Sequence, residues 1–238
     1  MPPSLWNVIQ YDKTMPIKAV AFDIDGTLYP NASMYIRAIP FVLTHFRLVT
    51  AYSRIRKHVR RRRPVTDLKT LERRLLADAM RIDESAATRL IDVAIHERWE
   101  ATLDGVKPYR HVRSAIEHIQ SLGLQTAVTS DFPVERKLKR LGLDDLFECR
   151  LWSEDSGYLK PHPEPFQALA ACLGEDPASI LYVGNSYAYD IVGAKGVGMR
   201  AAHLSRRPPL NSIADLTFTD FRRLLTWIEQ TNQTEIPS

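Results

Sequence analysis

Short apolar runs recur along the chain, and the first of them, Ile17 to Phe22 (IKAVAF), stops at a carboxylate. That is the form of a buried parallel strand that delivers a side chain to its C-terminal edge. Further runs are 125 to 129 (QTAVT), 180 to 183 (ILYV), 148 to 152 and 200 to 204. Between them the spacing turns helical. Val112, Ala115, Ile116, Ile119 and Leu122 recur at helical spacing, and Gly123 stands where a C-cap belongs. Leu138, Leu141 and Gly142 repeat that ending, as do Phe166, Leu169, Ala170, Leu173 and Gly174. Strands alternating with helices predict an α/β fold, a Rossmann-like, doubly wound, mainly parallel sheet.

One stretch breaks the alternation. From about Ser33 to Asp104 the pattern is helical only. Phe46, Val49, Tyr52, Ile55 and Val59 suit one long helix; Leu68, Leu71, Leu75 and Ala79 suit a second after Thr66 and Asp67; Leu90, Ile91, Ile95 and Trp99 suit a third. The stretch predicts an inserted all-helical module over residues 33–105, leaving through a Gly- and Pro-bearing hinge (DGVKP). The α/β core then comprises residues 15–32 and 106–230. Phe221, Leu224, Leu225 and Ile228 give a C-terminal helix that covers the core, with 231–238 as a tail, and residues 1–14 form an N-terminal extension without a clear period.

Composition narrows the function classes. At 238 residues and 45% hydrophobic content, the chain can bury one sizeable core plus a small module, which excludes a disordered or fibrous protein. A formal charge of +4 falls short of a dedicated nucleic-acid binder, and no recognised nucleic-acid motif accompanies it. Cys149 and Cys172 form no C-x-x-C or His/Cys cluster, so neither a disulfide framework nor a zinc site is expected, and a reducing cytosol suits them. No apolar run approaches the roughly 20 residues that span a bilayer. No basic-then-apolar leader opens the chain. A cytoplasmic protein without membrane contact is the expectation.

Four segments carry the chemistry. Asp23-Ile24-Asp25-Gly26-Thr27 puts two carboxylates two residues apart directly beyond an apolar strand, with a glycine that lets the backbone turn sharply. Open α/β sheets bind ligands at that edge. Alone, the pentapeptide also fits a plain strand-to-turn junction. Thr129-Ser130-Asp131 ends the second strand with a hydroxyl and N–H groups suited to a phosphate oxygen, or forms an ordinary turn. Lys160 precedes Pro161, and a lone lysine is usually solvated. Gly184-Asn185-Ser186-Tyr187-Ala188-Tyr189-Asp190 again follows an apolar strand, with Asp190 a carboxylate or a helix N-cap.

In this order, each at a strand end or loop, the four segments resemble the haloacid-dehalogenase superfamily: D-x-D-G-T, then Ser/Thr, then Lys, then an acidic pair. The match covers about Lys18 to Leu204, and the helical insert resembles the family's first-type cap. The resemblance implies a phosphatase in which Asp23 attacks phosphorus to form an aspartyl-phosphate. Asp25 would protonate the leaving oxygen and later take a proton from water, which calls for a raised pKa. Ser130 and the N–H of Asp131 would grip the phosphoryl oxygens, with Lys160 contacting both phosphoryl and Asp23. Magnesium (Mg2+) would be held by the Asp23 carboxylate, the Asp25 carbonyl and oxygens of Asn185 and Asp190. The substrate would be a small phosphorylated metabolite. Asp25 also favours phosphorus over carbon chemistry, since dehalogenases are expected to lack an acid there.

One position departs from the pattern. Relatives begin the fourth motif Gly-Asp, whereas this chain has Gly184-Asn185, so one anionic ligand is neutral and weaker metal binding is expected. A catalytically silent binding protein therefore stays open, as does a phosphomutase, which uses the same nucleophile and returns the phosphoryl group to a sugar rather than to water. Arg54 to Arg63 ends the first cap helix with dense positive charge, read either as a solvated helix terminus or as steering of an anionic substrate or partner. Tyr29, Asn31, Phe132 and Pro133 are placed near the cleft.

Overall fold

The computed structural model describes residues 15–234, with the 1–14 extension and residues 235–238 outside the described span. β1 (Ala19–Phe22) feeds a helical excursion of α1 (Asn31–Thr44), α2 (Phe46–Val59), α3 (Leu68–Met80) and α4 (Glu84–Arg89). A π-helical segment, Leu90–Arg98, then leads into α5 (Trp99–Ala101). Alternation resumes with α6 (Val112–Ser121), β2 (Gln125–Ser130), α7 (Glu135–Leu141), β3 (Cys149–Trp152), α8 (Pro163–Leu173) and β4 (Ile180–Gly184). A π-helical turn, Tyr187–Ile191, opens α9 (Val192–Gly196), followed by β5 (Arg200–Leu204), β6 (Leu216–Phe218) and α10 (Phe221–Thr234).

The sheet order is β3-β2-β1-β4-β5-β6, and every pairing is parallel. β1 therefore lies where the winding reverses, the point at which an open α/β sheet forms its ligand crevice. Phe22 is level with Val128 on one side and Val183 on the other, so the first residue past the strand emerges at that crevice. Strand periodicity sorts the core into two layers. Val20, Phe22, Val128 and Val183 pack under α6, α7 and α10, while Ala21, Ala127 and Tyr182 pack under α8 and α9.

A third cluster joins the helices of the insert: Leu48, Tyr52, Ile55, Leu76, Ile91 and Ile95. Leu159, from the loop before α8, is buried in this helical cluster and ties the insert to the sheet. The α2 stripe begins at Leu48; Phe46, expected inside, is 63% exposed. In α3 the expected Leu68 is buried and Leu71 and Leu75 are partly so, Leu76 and Ala77 are buried beside them, and Ala79 faces solvent. Asp67 caps α3 by accepting from Thr70 N at 3.0 Å. α1 carries no recognisable apolar stripe because Met34 and Ala38 are buried while Ile36, Ile39 and Leu43 are exposed. β6 is three residues long, too short for a periodic signal.

The expectation of unpaired cysteines is corrected. Cys149 at the start of β3 and Cys172 near the end of α8 form a disulfide, with Cα atoms 6.2 Å apart. The pairing follows from α8 packing across β3, a tertiary contact between residues 23 apart that no local spacing announces.

The C-terminal helix also runs past the expected boundary at residue 230. Asn232 accepts from Ile17 N at 2.9 Å and donates to Ile17 O at 3.0 Å, fastening α10 to the chain that enters β1. Asn232→Ala is expected to lower stability by about 1–2 kcal/mol through loss of both bonds. Urea denaturation checks this, and an unchanged midpoint would show the clasp to be idle.

Candidate active site

Asp23 follows β1 directly, with its N–H bonded to Val183 O at 2.9 Å. Its Oδ1 lies 2.7 Å from Lys160 Nζ, and its Oδ2 accepts from Thr27 Oγ1 at 2.8 Å. Lys160 Nζ is also 2.7 Å from Asp190 Oδ1 and 3.1 Å from the Tyr182 hydroxyl. All four groups are buried. Burial disfavours the lysine cation, but the Asp190 and Asp23 carboxylates overcome it and push Lys160 well above its ordinary pKa. Two carboxylates thus share one ammonium. Burial pushes Asp23 up to about 7, with Lys160 opposing and Asp190 and Asp25 adding to the rise.

Asp25 lies in a different environment. Its Oδ1 accepts from the Tyr29 hydroxyl at 2.6 Å, and its Oδ2 accepts from Ser130 Oγ at 2.8 Å and Lys137 Nζ at 2.5 Å. Burial works against the charge, yet the Lys137 ammonium and these hydrogen bonds hold Asp25 below the usual carboxylate range. The expected raised pKa is therefore corrected. Crowding by carboxylates is outweighed by a cation that sequence reasoning missed: Lys137 sits in the charged stretch ERKLKR of α7, where nothing marks it as buried. Tyr29, expected to line the cleft, is fully buried and serves as a donor to Asp25.

Ser130 Oγ points to Asp25 and also accepts from Phe132 N at 3.2 Å. Asp131 is held by its charge. Oδ2 is 2.7 Å from Arg60 Nη2, Oδ1 accepts from Lys160 N at 3.2 Å, and the Asp131 carbonyl accepts from Arg56 Nη2. Burial opposes ionisation, but Arg60, Lys160 and Arg56 keep the carboxyl well below its ordinary pKa. Tyr182 was likewise missed; a tyrosine in a buried strand signals a hydroxyl needing a partner.

Two glycines let the motifs converge. Gly26 has φ +89°, and a Cβ there would meet Asn185 Nδ2 at 2.2 Å and Asn31 Nδ2 at 2.3 Å. A Cβ on Gly184 would strike the Asp190 side chain, 2.3 Å from its Cβ. These close approaches bring Asp23, Asp25, Lys160, Asn185 and Asp190 to the floor of one cleft of about 610 Å³. Asn31 and Phe132 are on its wall, whereas Pro133 lies outside.

The donors available to a divalent cation are oxygens. Among the described residues no group of three or more His, Cys, Asp or Glu side chains converges as a metal site. Asp190 is occupied: Oδ1 takes Lys160, and Oδ2 accepts from Ser186 N at 2.9 Å. Asp23 is bonded through both of its oxygens in the same way. Asp23, Asn185 and Asp190 thus stay together as candidate donors, and the convergence of the first two is marked by Thr27 Oγ1, which lies 2.8 Å from Asp23 Oδ2 and 3.4 Å from Asn185 Oδ1. A carboxylate, an amide oxygen and the Asp25 carbonyl are hard ligands of the kind magnesium accepts while keeping several waters.

Known proteins share this frame. The chain is 33% identical over 205 residues to a glyceraldehyde 3-phosphate phosphatase of Methanopyrus kandleri, covering 80% of this chain and 84% of that one. It is 29% identical over 192 residues to the pyrophosphatase PpaX of Anoxybacillus flavithermus, covering 79% and 83%. The crystal structure of a 2-haloacid dehalogenase from Pseudomonas syringae pv. Tomato DC3000 superposes with a TM-score of 0.66 at 26% identity, covering 90% of this chain and 99% of that one. The pattern of the haloacid dehalogenase-like hydrolases spans residues 17–198, and with the carboxylate–lysine floor at the switch point of a parallel sheet, the chain belongs to that family.

Proposed function

We propose that this hydrolase is a magnesium-dependent phosphatase that acts on a small phosphorylated metabolite through a phosphorylated Asp23. The observation that carries the reading is the pairing of Asp23 with Lys160 at 2.7 Å while Asp25 stands two residues on, at the floor of the same cleft. A phosphate monoester resists attack because its oxygens repel an anionic nucleophile, so a site must supply positive charge and in-line positioning. Lys160 supplies charge beside the nucleophile. Asp190 and Tyr182 fix its ammonium, so little reorganisation is needed when charge develops.

Asp23 attacks phosphorus, the P–O bond to the alcohol breaks, and an aspartyl-phosphate forms; water then returns the carboxylate and releases phosphate. Asp25 serves the proton transfers. Its ionised form, stabilised by Lys137, Tyr29 and Ser130, accepts a proton from the attacking water, and the acid so formed gives that proton to the leaving alcohol oxygen of the next turnover. Magnesium, held by Asp23, the Asp25 carbonyl, Asn185 and Asp190, would supply the positive charge that screens phosphoryl oxygens from the nucleophile. The named activities of the relatives in Methanopyrus and Anoxybacillus lend support, since both act on phosphorus. Likeness to a 2-haloacid dehalogenase favours a second reading, attack of the same Asp23 on a halogen-bearing carbon.

Hydrolysis of p-nitrophenyl phosphate with magnesium, beside chloride release from 2-chloropropionate, separates the two. The phosphate ester is expected to turn over and Asp23→Asn to lose about 10³-fold or more in kcat/KM; halide release with no phosphatase activity would reverse the assignment. Metal affinity gives an independent check. Asn185→Asp restores an anionic ligand and is expected to tighten magnesium binding roughly tenfold or more. Isothermal titration reads this directly, and equal or weaker binding in the variant would remove Asn185 from the metal site.

A further inference from the structure

We propose that Arg60, from the helical insert, is a positioning residue that sets the backbone of Lys160 and so couples placement of the insert to placement of the active-site ammonium. Its consequence for turnover rests on the phosphatase reading; its geometric content does not. Arg60 is the first residue beyond α2. Its Nε donates to the Lys160 carbonyl at 3.1 Å and its Nη2 to Asp131 Oδ2 at 2.7 Å. Asp131 Oδ1 accepts the Lys160 N–H at 3.2 Å. One arginine–aspartate pair therefore holds both polar groups of the Lys160 backbone, one directly and the other through the carboxylate.

The pair is mostly dry, with side chains 14% and 10% exposed. The guanidinium also stacks on Tyr189, 4.5 Å from the ring centroid, and the Arg60 carbonyl is 3.0 Å from His162 Nε2. Arg56 steadies the other end through the Asp131 carbonyl. Leu159, the preceding neighbour of Lys160, packs into the insert's own apolar cluster. The loop bearing the lysine is thus fastened to the insert by an apolar plug on one side and a charged fork on the other. A lysine could not replace Arg60, because a single ammonium lacks two rigidly spaced donors for two acceptors. Near-attack geometry is sensitive at the scale of one ångström, so loosening this fork should fall on the chemical step rather than on binding.

The test compares Arg60→Ala and Arg60→Lys with Arg63→Ala, which removes a more exposed ion pair, Arg63 to Glu164, on the same seam. With p-nitrophenyl phosphate, both Arg60 variants are expected to lose about 10²-fold in kcat with KM changed less than about threefold. Added guanidinium should partly restore Arg60→Ala, and Arg63→Ala should keep wild-type kcat. Reductive methylation of Lys160, followed by peptide mass spectrometry, needs no turnover. It should be about tenfold faster in Arg60→Ala than in wild type. Unchanged Lys160 labelling overturns the proposal whatever the activity, and so does a rise in KM with kcat retained, which would make Arg60 a substrate contact. If wild type turns over no phosphate ester, the phosphatase reading fails while the labelling still decides this one. Should Arg60→Ala not fold, Asp131→Asn, which weakens the same fork while keeping its size, takes the same two measurements with the same expected outcomes.

Discussion

A buried ammonium shared by two buried carboxylates is the interaction from which the rest of this site follows. Lys160 lies 2.7 Å from both Asp23 and Asp190, and among the described residues neither acid has another cation so near. Ionised groups leave water at a cost of several kcal/mol each unless partners compensate. The fold meets that cost by convergence: β1 brings Asp23, the loop before α8 brings Lys160, and the turn after β4 brings Asp190 back over Gly184. Charge balance stays incomplete, with two negative groups to one positive. Burial above all, with the Asp190 and Asp25 charges adding to it, keeps the proton affinity of Asp23 high, and the residual charge gives an added cation something to neutralise.

The second carboxylate of the motif shows the opposite balance. Asp23 and Asp25 are two residues apart, yet one is pushed up and the other down. Desolvation acts on both, so burial does not separate them. What separates them is partner count: Asp25 has Lys137 to itself plus two hydroxyl donors, while Asp23 divides Lys160 with Asp190. Carboxylates whose environments pull their pKa values apart can take different tasks in one reaction. Here the split comes from α7, which delivers Lys137 a turn beyond the end of β2.

These cases mark how far the sequence could be read. Asp23, Lys160 and Asp190 were legible because each follows an apolar run or stands in a recognisable motif, and chain order alone places them at one sheet edge. Five of the six strands were visible in the same way. Lys137 was not, since a buried lysine within a charged helical stretch looks like a solvated one until packing is known. Direction of the Asp25 shift fails with it, being a property of a contact between residues 112 apart. The cysteine pairing and the three-residue β6 share that cause: each is fixed by tertiary packing and leaves no local period.

The arginine-rich stretch shows the same limit and also a signal that was present. Tyr52, Ile55 and Val59 are buried on α2, and Arg56 joins them, while Arg54, Lys57, Arg61 and Arg62 are exposed. Arg56 and Arg60 recur at a spacing of four, the period of the apolar stripe they continue to the end of α2, and Arg63 follows in the exposed chain beyond it. Each turns its fork on acceptors across the seam: Arg56 on Glu154 and the Asp131 carbonyl, Arg60 on Asp131 and the Lys160 carbonyl, Arg63 on Glu164. A net charge averages these with their solvated neighbours and so reports neither group. Helical period separates Arg56 and Arg60 from the rest, because residues that continue a buried stripe must meet whatever that stripe faces, and at the end of α2 it faces the acidic and carbonyl oxygens around Lys160.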